Sequence, residues 1–289
     1  MNAIVFKNIK KKLGGFTLDI PYLEIKKGYI TGFVGQNGAG KTTTIKLILD
    51  MIIPDTGIVE IDGMNVRDHS VELKKHIGYV GDPTGYPEES KLKDIKRMYA
   101  PFYETWDEAL FEKYVNRFKL KLDLKYGKLS TGQKKQFALV MALAHKPKLI
   151  ILDEPTSGLD PVVRQDILDV LMEHMQDEEV SVFYSTHITS DLERAGDYLV
   201  YIKEGQIKMT EPIDALLQSY CIVSGPNELF TKEIRKELLG YKVSQFGGSG
   251  LVKSRKIAEE LFGREVQYSK PSIEDIMIFL ADRGGEEKW

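Results

Sequence analysis

The sequence predicts an α/β protein, a mixed sheet with helices against it and an inserted helical layer, followed by a small α+β domain at the C-terminal end. Three observations predict this. Residues 149–152 read Leu-Ile-Ile-Leu, continuously apolar as in a strand buried on both faces of a parallel sheet. Short strand candidates at 29–34, 77–80, 180–184 and 198–202 are interleaved with helical spacing at 42–51, 132–145 and 161–175, the alternation of an α/β fold. After about Asp214 a new series begins, at 220–224, 232–239, 241–246, 251–254, 256–262, 265–269 and 273–281, which reads as βαββαβα. The 289 residues agree with two domains, at roughly 150 residues each. The boundaries expected are 1–213 and 214–289.

Taken in order, residues 3–9 alternate like a strand, and 22–25 supply a second, ending at Lys26-Lys27-Gly28. An antiparallel edge sheet is expected there. Residues 29–34 lead into a glycine-rich turn, and the helix beyond it spaces Ile45, Leu49 and Ile52 along one face. After the strand at 77–80 come a turn-rich segment through Gly85 and Pro87 and a helical stretch from about 91 to 120. Ile95, Met98, Leu110, Tyr114 and Phe118 give that stretch its apolar face, within a helical subdomain of about 88–146. The helix at 132–145 stops before Pro147. The one at 161–175 starts on Pro161, well placed because the first helical turn leaves its N–H groups unpaired in any case. Glu204-Gly205-Gln206 reads as a hairpin turn into 207–209, and Gly247-Gly248-Ser249-Gly250 as a flexible turn.

Composition excludes several classes. Apolar residues at 42% and charged residues at 29% describe a globular chain. A net charge of −3 provides no field that would gather nucleic acid over the whole surface. Cys221 is the single cysteine, so no intrachain disulfide or thiolate zinc cluster forms, as suits a reducing compartment. Residues 1–12 lack the apolar stretch of a signal peptide, and no run approaches the ~18–20 apolar residues that span a bilayer. A membrane role would need spanning helices from another chain.

The chemistry begins at Gly35-Gln36-Asn37-Gly38-Ala39-Gly40-Lys41-Thr42, followed by Thr43. This fits G-x-x-x-x-G-K-[ST] between a predicted strand and a predicted helix. Its glycines let the backbone wrap around phosphates, so that successive N–H groups and the helix N-terminus face the anion. Lys41 is expected on the β and γ phosphates of ATP and the Thr42 hydroxyl on Mg²⁺. The second anchor is the apolar strand ending in Asp153-Glu154. Asp153 is expected on the Mg²⁺ side, and Glu154 beside the γ phosphate, where it orients or deprotonates the attacking water.

Leu129-Ser130-Thr131-Gly132-Gln133 opens a helix, and alone it would serve as a helix cap. With the two anchors around it, the chain resembles the ABC ATPase family over about residues 1–213, whose usual signature is Leu-Ser-Gly-Gly-Gln. The resemblance implies a P-loop NTPase fold of the ABC type that binds ATP between two such domains arranged head to tail. Ser130, Thr131, Gly132 and Gln133 would then contact the ATP held by a second copy. Ser157-Gly158-Leu159-Asp160 resembles the family's D-loop, making Asp160 the residue that bridges the two sites. Ser185-Thr186-His187 resembles its H-loop, making His187 a partner of the γ phosphate and of Glu154.

Four positions depart from the family pattern. Asp82 stands where a glutamine is usual; it either approaches Mg²⁺ or its water, or is an Asp-Pro turn residue. Thr131 replaces a signature glycine, and Gln136 stands where many members have arginine. Leu13 occupies the usual adenine-stacking position, leaving Phe16 as the candidate stacker or, equally, a strand-core residue.

The resemblance further implies a separate transmembrane permease as partner, a peripheral place on the cytoplasmic face of the membrane, and no nucleic acid. Met98, Tyr99, Phe102, Tyr103 and Trp106 offer a surface for the membrane chain, or pack into their own subdomain. One ATPase module with a C-terminal extension is similar to bacterial exporters of bacitracin, bacteriocins or amphipathic peptides, the phenol-soluble-modulin type above all. A soluble ABC ATPase of translation would carry two modules, and one of chromosome maintenance long coiled coils between Gly40 and Ser130. The C-terminal domain reads as a sensor or dimerisation module that modulates the ATPase.

Overall fold

A computed structural model describes residues 1–81, 85–177 and 179–281. Their contacts divide the chain into two compact units, Met1–Ile188 with Ala195–Thr210, and Thr189–Arg194 with the chain from Glu211 on.

Among the described residues the first unit is organised on ten strands: β1 (Asn2–Leu13), β2 (Phe16–Lys26), β3 (Ile30–Val34), β4 (Thr56–Ile61), β5 (Met64–Asn65), β6 (Ile77–Val80), β7 (Leu149–Asp153), β8 (Ser181–Thr186), β9 (Tyr198–Lys203) and β10 (Gln206–Pro212). They hydrogen-bond in the order β5-β4-β1-β2-β10-β9-β3-β8-β7-β6. One end is an antiparallel ribbon, because β1 and β2 form a hairpin around Gly14 and Gly15 and β4 pairs antiparallel with β1. The other is parallel: β3 pairs with β8 and β9, β7 with β8, and β6 with β7. All five residues of β3 and of β7 are buried, as continuous apolar runs require. Helices α1 (Lys41–Ile48), α2 (Ser70–Lys74), α3 (Leu92–Tyr99), α4 (Glu108–Arg117), α5 (Thr131–Leu143) and α6 (Pro161–His174) complete this unit.

Three expectations are corrected here. The edge ribbon is larger than the two short strands read from the sequence, since β4 and β5 add to it. The run at 56–61 is broken by Gly57, whose φ of 82° and close backbone approach exclude any side chain: a Cβ there would lie 2.3 Å from the carbonyl oxygens of Lys7 and Asn8. The helical stretch at 91–120 is two helices. Pro101 falls in the tight turn Ala100–Phe102, and α4 restarts where Asp107 accepts a hydrogen bond from the N–H of Leu110 at 2.9 Å. The flexible turn at 247–250 is instead part of a strand, with the reversal at Gln245 and Phe246.

The second unit holds α7 (Thr189–Ala195, through Arg194), α8 (Ile213–Ser219), α9 (Lys232–Glu237), α10 (Arg255–Phe262) and α11 (Ile273–Ala281). Its antiparallel sheet is ordered β12 (Gly240–Ser244), β13 (Gly247–Val252), β11 (Cys221–Gly225), β14 (Gln267–Ser269). Cys221, Val223, Phe230, Leu238, Val252, Ala258 and Phe262 form its core. The N–H of Ile273 donates to Glu193 Oε1 at 2.6 Å, which ties α7 to α11.

Candidate functional site

Parallel pairing sends the carboxyl ends of β3, β7 and β8 to one edge of the sheet, where ligands of open α/β sheets bind. Register does the rest. Val34 lies opposite Thr186 and Asp153 opposite Ser185, so the residues that follow, Gly35, Glu154 and His187, emerge side by side.

After β3 the chain turns through Gly38 (φ 81°) and Gly40 (φ 114°), conformations that L side chains rarely adopt, and enters α1 at Lys41. Gly35 is required for a different reason, close approach: a Cβ there would lie 2.5 Å from the carbonyl oxygen of Ile202. Gln36, Asn37 and Gly38 are exposed, Ala39 is buried and Thr43 half-buried. Lys41 is buried, and its ammonium donates to the carbonyls of Gly35 (2.8 Å) and Gln36 (3.4 Å) while standing 3.4 Å from Glu154 Oε1. A buried cation at a helix N-terminus, enclosed by a glycine-rich loop, is an anion cradle.

Asp153 ends β7 and is buried. Thr42 Oγ1 donates to its Oδ2 at 3.1 Å, whereas its Oδ1 has no hydrogen-bond partner among the described residues. Burial raises the Asp153 pKa, against the Thr42 hydrogen bond, which lowers it. A buried, under-satisfied carboxylate oxygen beside a hydroxyl is the oxygen-rich setting that suits a hard divalent cation. Glu154 then leaves the strand in the left-handed region, φ 52°, its N–H donating to the Ser185 carbonyl at 2.9 Å. Its Oε2 lies 2.7 Å from His187 Nδ1.

One open cleft of ≈ 390 Å³ has Phe16, Asn37, Gly38, Gly40, Lys41, Thr42, Thr43 and Glu154 on its walls, with Asp153 behind Thr42 and His187 beside Glu154. Phe16 packs against the core and also faces the cleft. Leu13, paired with Phe16 across the hairpin, is 44% exposed and does not line the cleft. Asp82 lies outside the described residues.

The signature and Asp160 stand apart from this lining. Ser130 forms a capping box for α5: its Oγ accepts from the N–H of Gln133 (3.2 Å) and the Gln133 side chain accepts from the N–H of Ser130 (3.1 Å). Thr131 is exposed, and Gly132 faces α6, where a Cβ would come within 3.2 Å of Val163 Cγ1. Asp160 caps α6, accepting from the N–H groups of Val162 (3.0 Å) and Val163 (3.1 Å). Gln136 is buried in α5.

Lys135 is a site residue that motif matching misses. It is buried and donates to the carbonyls of both Glu154 and Ser157 at 2.8 Å. Flanked by Lys134 and Gln136, it carries no signal in the sequence that separates it from a solvated lysine. In the helical insertion, Met98 and Phe102 are exposed, whereas Tyr99 meets Tyr86 edge-on, Tyr103 stacks on His145 at 4.0 Å, and Trp106 rests against Phe111.

Residues 18–157 match the family described as ABC transporter. The bacitracin transport ATP-binding protein BcrA of Bacillus licheniformis is 31% identical over 220 residues, 75% of this chain and 72% of that protein. The ABC transporter ATP-binding protein YtrB of Bacillus subtilis is 27% identical over 278 residues, 92% of this chain and 93% of that protein. A solved structure described as the ATP-binding subunit of an ABC transporter aligns with a TM-score of 0.65 at 27% identity, over 73% of this chain and 90% of that one. With the phosphate cradle, the paired carboxylates and the fold in agreement, the chain belongs to the ATP-binding, ATP-hydrolysing subunits of ABC transporters.

Proposed function

We propose that residues 1–213 form an ATPase module that closes head to tail on a second copy, or on a related ATPase, around two ATP molecules. Hydrolysis then reopens the pair, and a separate transmembrane permease converts the motion to export. The observation that carries this is the split of the site. Lys41 and Glu154 line one cleft, with Asp153 against Thr42 and His187 against Glu154, while Ser130 and Asp160 belong to neither the lining nor these contacts and sit at the exposed N-terminal ends of α5 and α6. Lys41 and the loop N–H groups would bind the phosphates. Glu154 would hold the attacking water and take its proton, and His187 would fix the Glu154 carboxylate. Thr42 and Asp153 would hold Mg²⁺, a Lewis acid that offsets charge on the phosphate oxygens when bound.

Among the described residues no helix is long and apolar enough to cross a membrane. In this reading the permease is another chain, and this one is peripheral on the cytoplasmic face. Peptide cargo of the antimicrobial or amphipathic kind is supported by the relative named for bacitracin transport. Residues 214–289 are proposed as an accessory domain that modulates the ATPase.

Two measurements test the proposal. Steady-state ATP hydrolysis by Asp153→Asn should need about tenfold or more Mg²⁺ for half-maximal rate; an unchanged Mg²⁺ requirement would remove Asp153 from the metal site. The tagged chain should co-purify with an integral membrane protein from native membranes. Co-purification with ribosomes or DNA-maintenance proteins alone would overturn the transport reading.

A further inference from the structure

Lys135 is 4% exposed, and every residue from it to the end of α5 is buried. An ammonium in such surroundings is strongly penalised unless its protons are satisfied, and an apolar side chain would pack there at no such cost. Its hydrogen bonds are therefore the reason for its presence. Two of them run to carbonyls of one turn, Glu154 and Ser157, each at 2.8 Å.

That turn is where the hydrolytic carboxylate is aimed. Glu154 sits at φ 52°, a strained conformation for a non-glycine residue that persists only where its surroundings fix it. Two contacts do so from the β8 side. The Glu154 N–H donates to the Ser185 carbonyl, and Thr156 Oγ1 shares a buried 3.0 Å hydrogen bond with the Tyr184 hydroxyl. Lys135 adds a further contact, holding the carbonyl of the peptide that follows Glu154. The carboxylate thereby keeps both its 3.4 Å approach to Lys41 and its 2.7 Å approach to His187. Lys135 also lies two residues beyond Gln133, so the signature end of α5 and the Glu154 backbone form one rigid connection.

We propose that Lys135 is a positioning residue for hydrolysis, acting on Glu154 through its backbone carbonyl. This rests on the reading of Glu154 as the residue that activates water. Its test uses the purified full chain as Lys135→Met, which keeps volume and loses the donors, and Lys135→Gln, whose amide offers two hydrogens. Glu154→Gln is the control, and nucleotide binding and thermal unfolding are followed in parallel. Lys135→Met should lower kcat about tenfold or more with the KM for ATP within about twofold, because misaiming a catalytic group by ~1 Å is enough for such a loss. Lys135→Gln should restore most of it. Where the methionine variant does not fold, Lys135→Leu replaces it.

Unchanged kcat in the methionine variant would overturn the proposal. So would kcat and KM worsening together with a lowered unfolding temperature and no rescue by glutamine, which is the behaviour of a residue that only supports the fold. Normal hydrolysis by Glu154→Gln would overturn the reading of Glu154 itself, and the role of Lys135 with it.

Discussion

His187 Nδ1 stands 2.7 Å from Glu154 Oε2, and Lys41 Nζ stands 3.4 Å from the other oxygen of the same carboxylate. An ionised carboxylate only accepts hydrogen bonds, so in this contact Nδ1 is the donor. The imidazole thus fixes one carboxylate oxygen while the ammonium faces the other. His187→Ala should reduce kcat by about 10²-fold, the lower range for a proton-handling group, with little change in nucleotide affinity. Parallel loss of ATP binding, measured by fluorescence titration, would make His187 a binding residue instead.

Phe16 lines the cleft and Leu13 does not, although the sequence resemblance alone pointed to the position of Leu13 for adenine stacking. Phe16→Ala should weaken ATP by about 1 kcal/mol, roughly fivefold in Kd. Leu13→Ala should leave Kd unchanged. The reverse ranking in equilibrium titrations would return adenine to the hairpin tip.

His145 is buried against Tyr103, and burial pushes its pKa from 6.5 to about 4. The unfolded chain therefore binds more protons than the folded one between these values, so stability falls as pH drops through 6.5 and levels off near 4. The full loss is on the order of 3 kcal/mol. His145→Phe keeps a ring on Tyr103 and should flatten that part of the curve. Urea unfolding at pH 7.5 and pH 5 measures it; an equal slope in both proteins would exclude His145 as the source.

Legibility in the sequence followed the range of each interaction. The parallel strands, the cradle from Gly35 to Thr42 and the Asp153-Glu154 pair were readable because continuous apolar runs and fixed spacings are local. Strand β4 was not, because its identity depends on pairing with β1 some fifty residues away, and Gly57 interrupts its pattern at the point of closest approach. The break within 91–120 was signalled by Pro101 and Asp107, but the apolar spacing on either side runs continuously past them. Lys135 was hidden for a chemical reason: its partners are backbone carbonyls, which leave no mark in the residue code. Of the two readings of Ser130, the helix cap is the one that local sequence carries. Its hydroxyl caps α5 and still lies at the exposed end of that helix.

The central claim is that Glu154 activates water in a cleft completed by a second ATPase. Glu154→Gln tests it most directly, in one experiment that follows steady-state hydrolysis and mass in solution with saturating ATP and Mg²⁺. The variant should bind ATP as before, lose turnover by about 10²-fold or more, and run as a dimer that the same protein without nucleotide does not form. Undiminished turnover, or a monomer at saturating ATP, would contradict it.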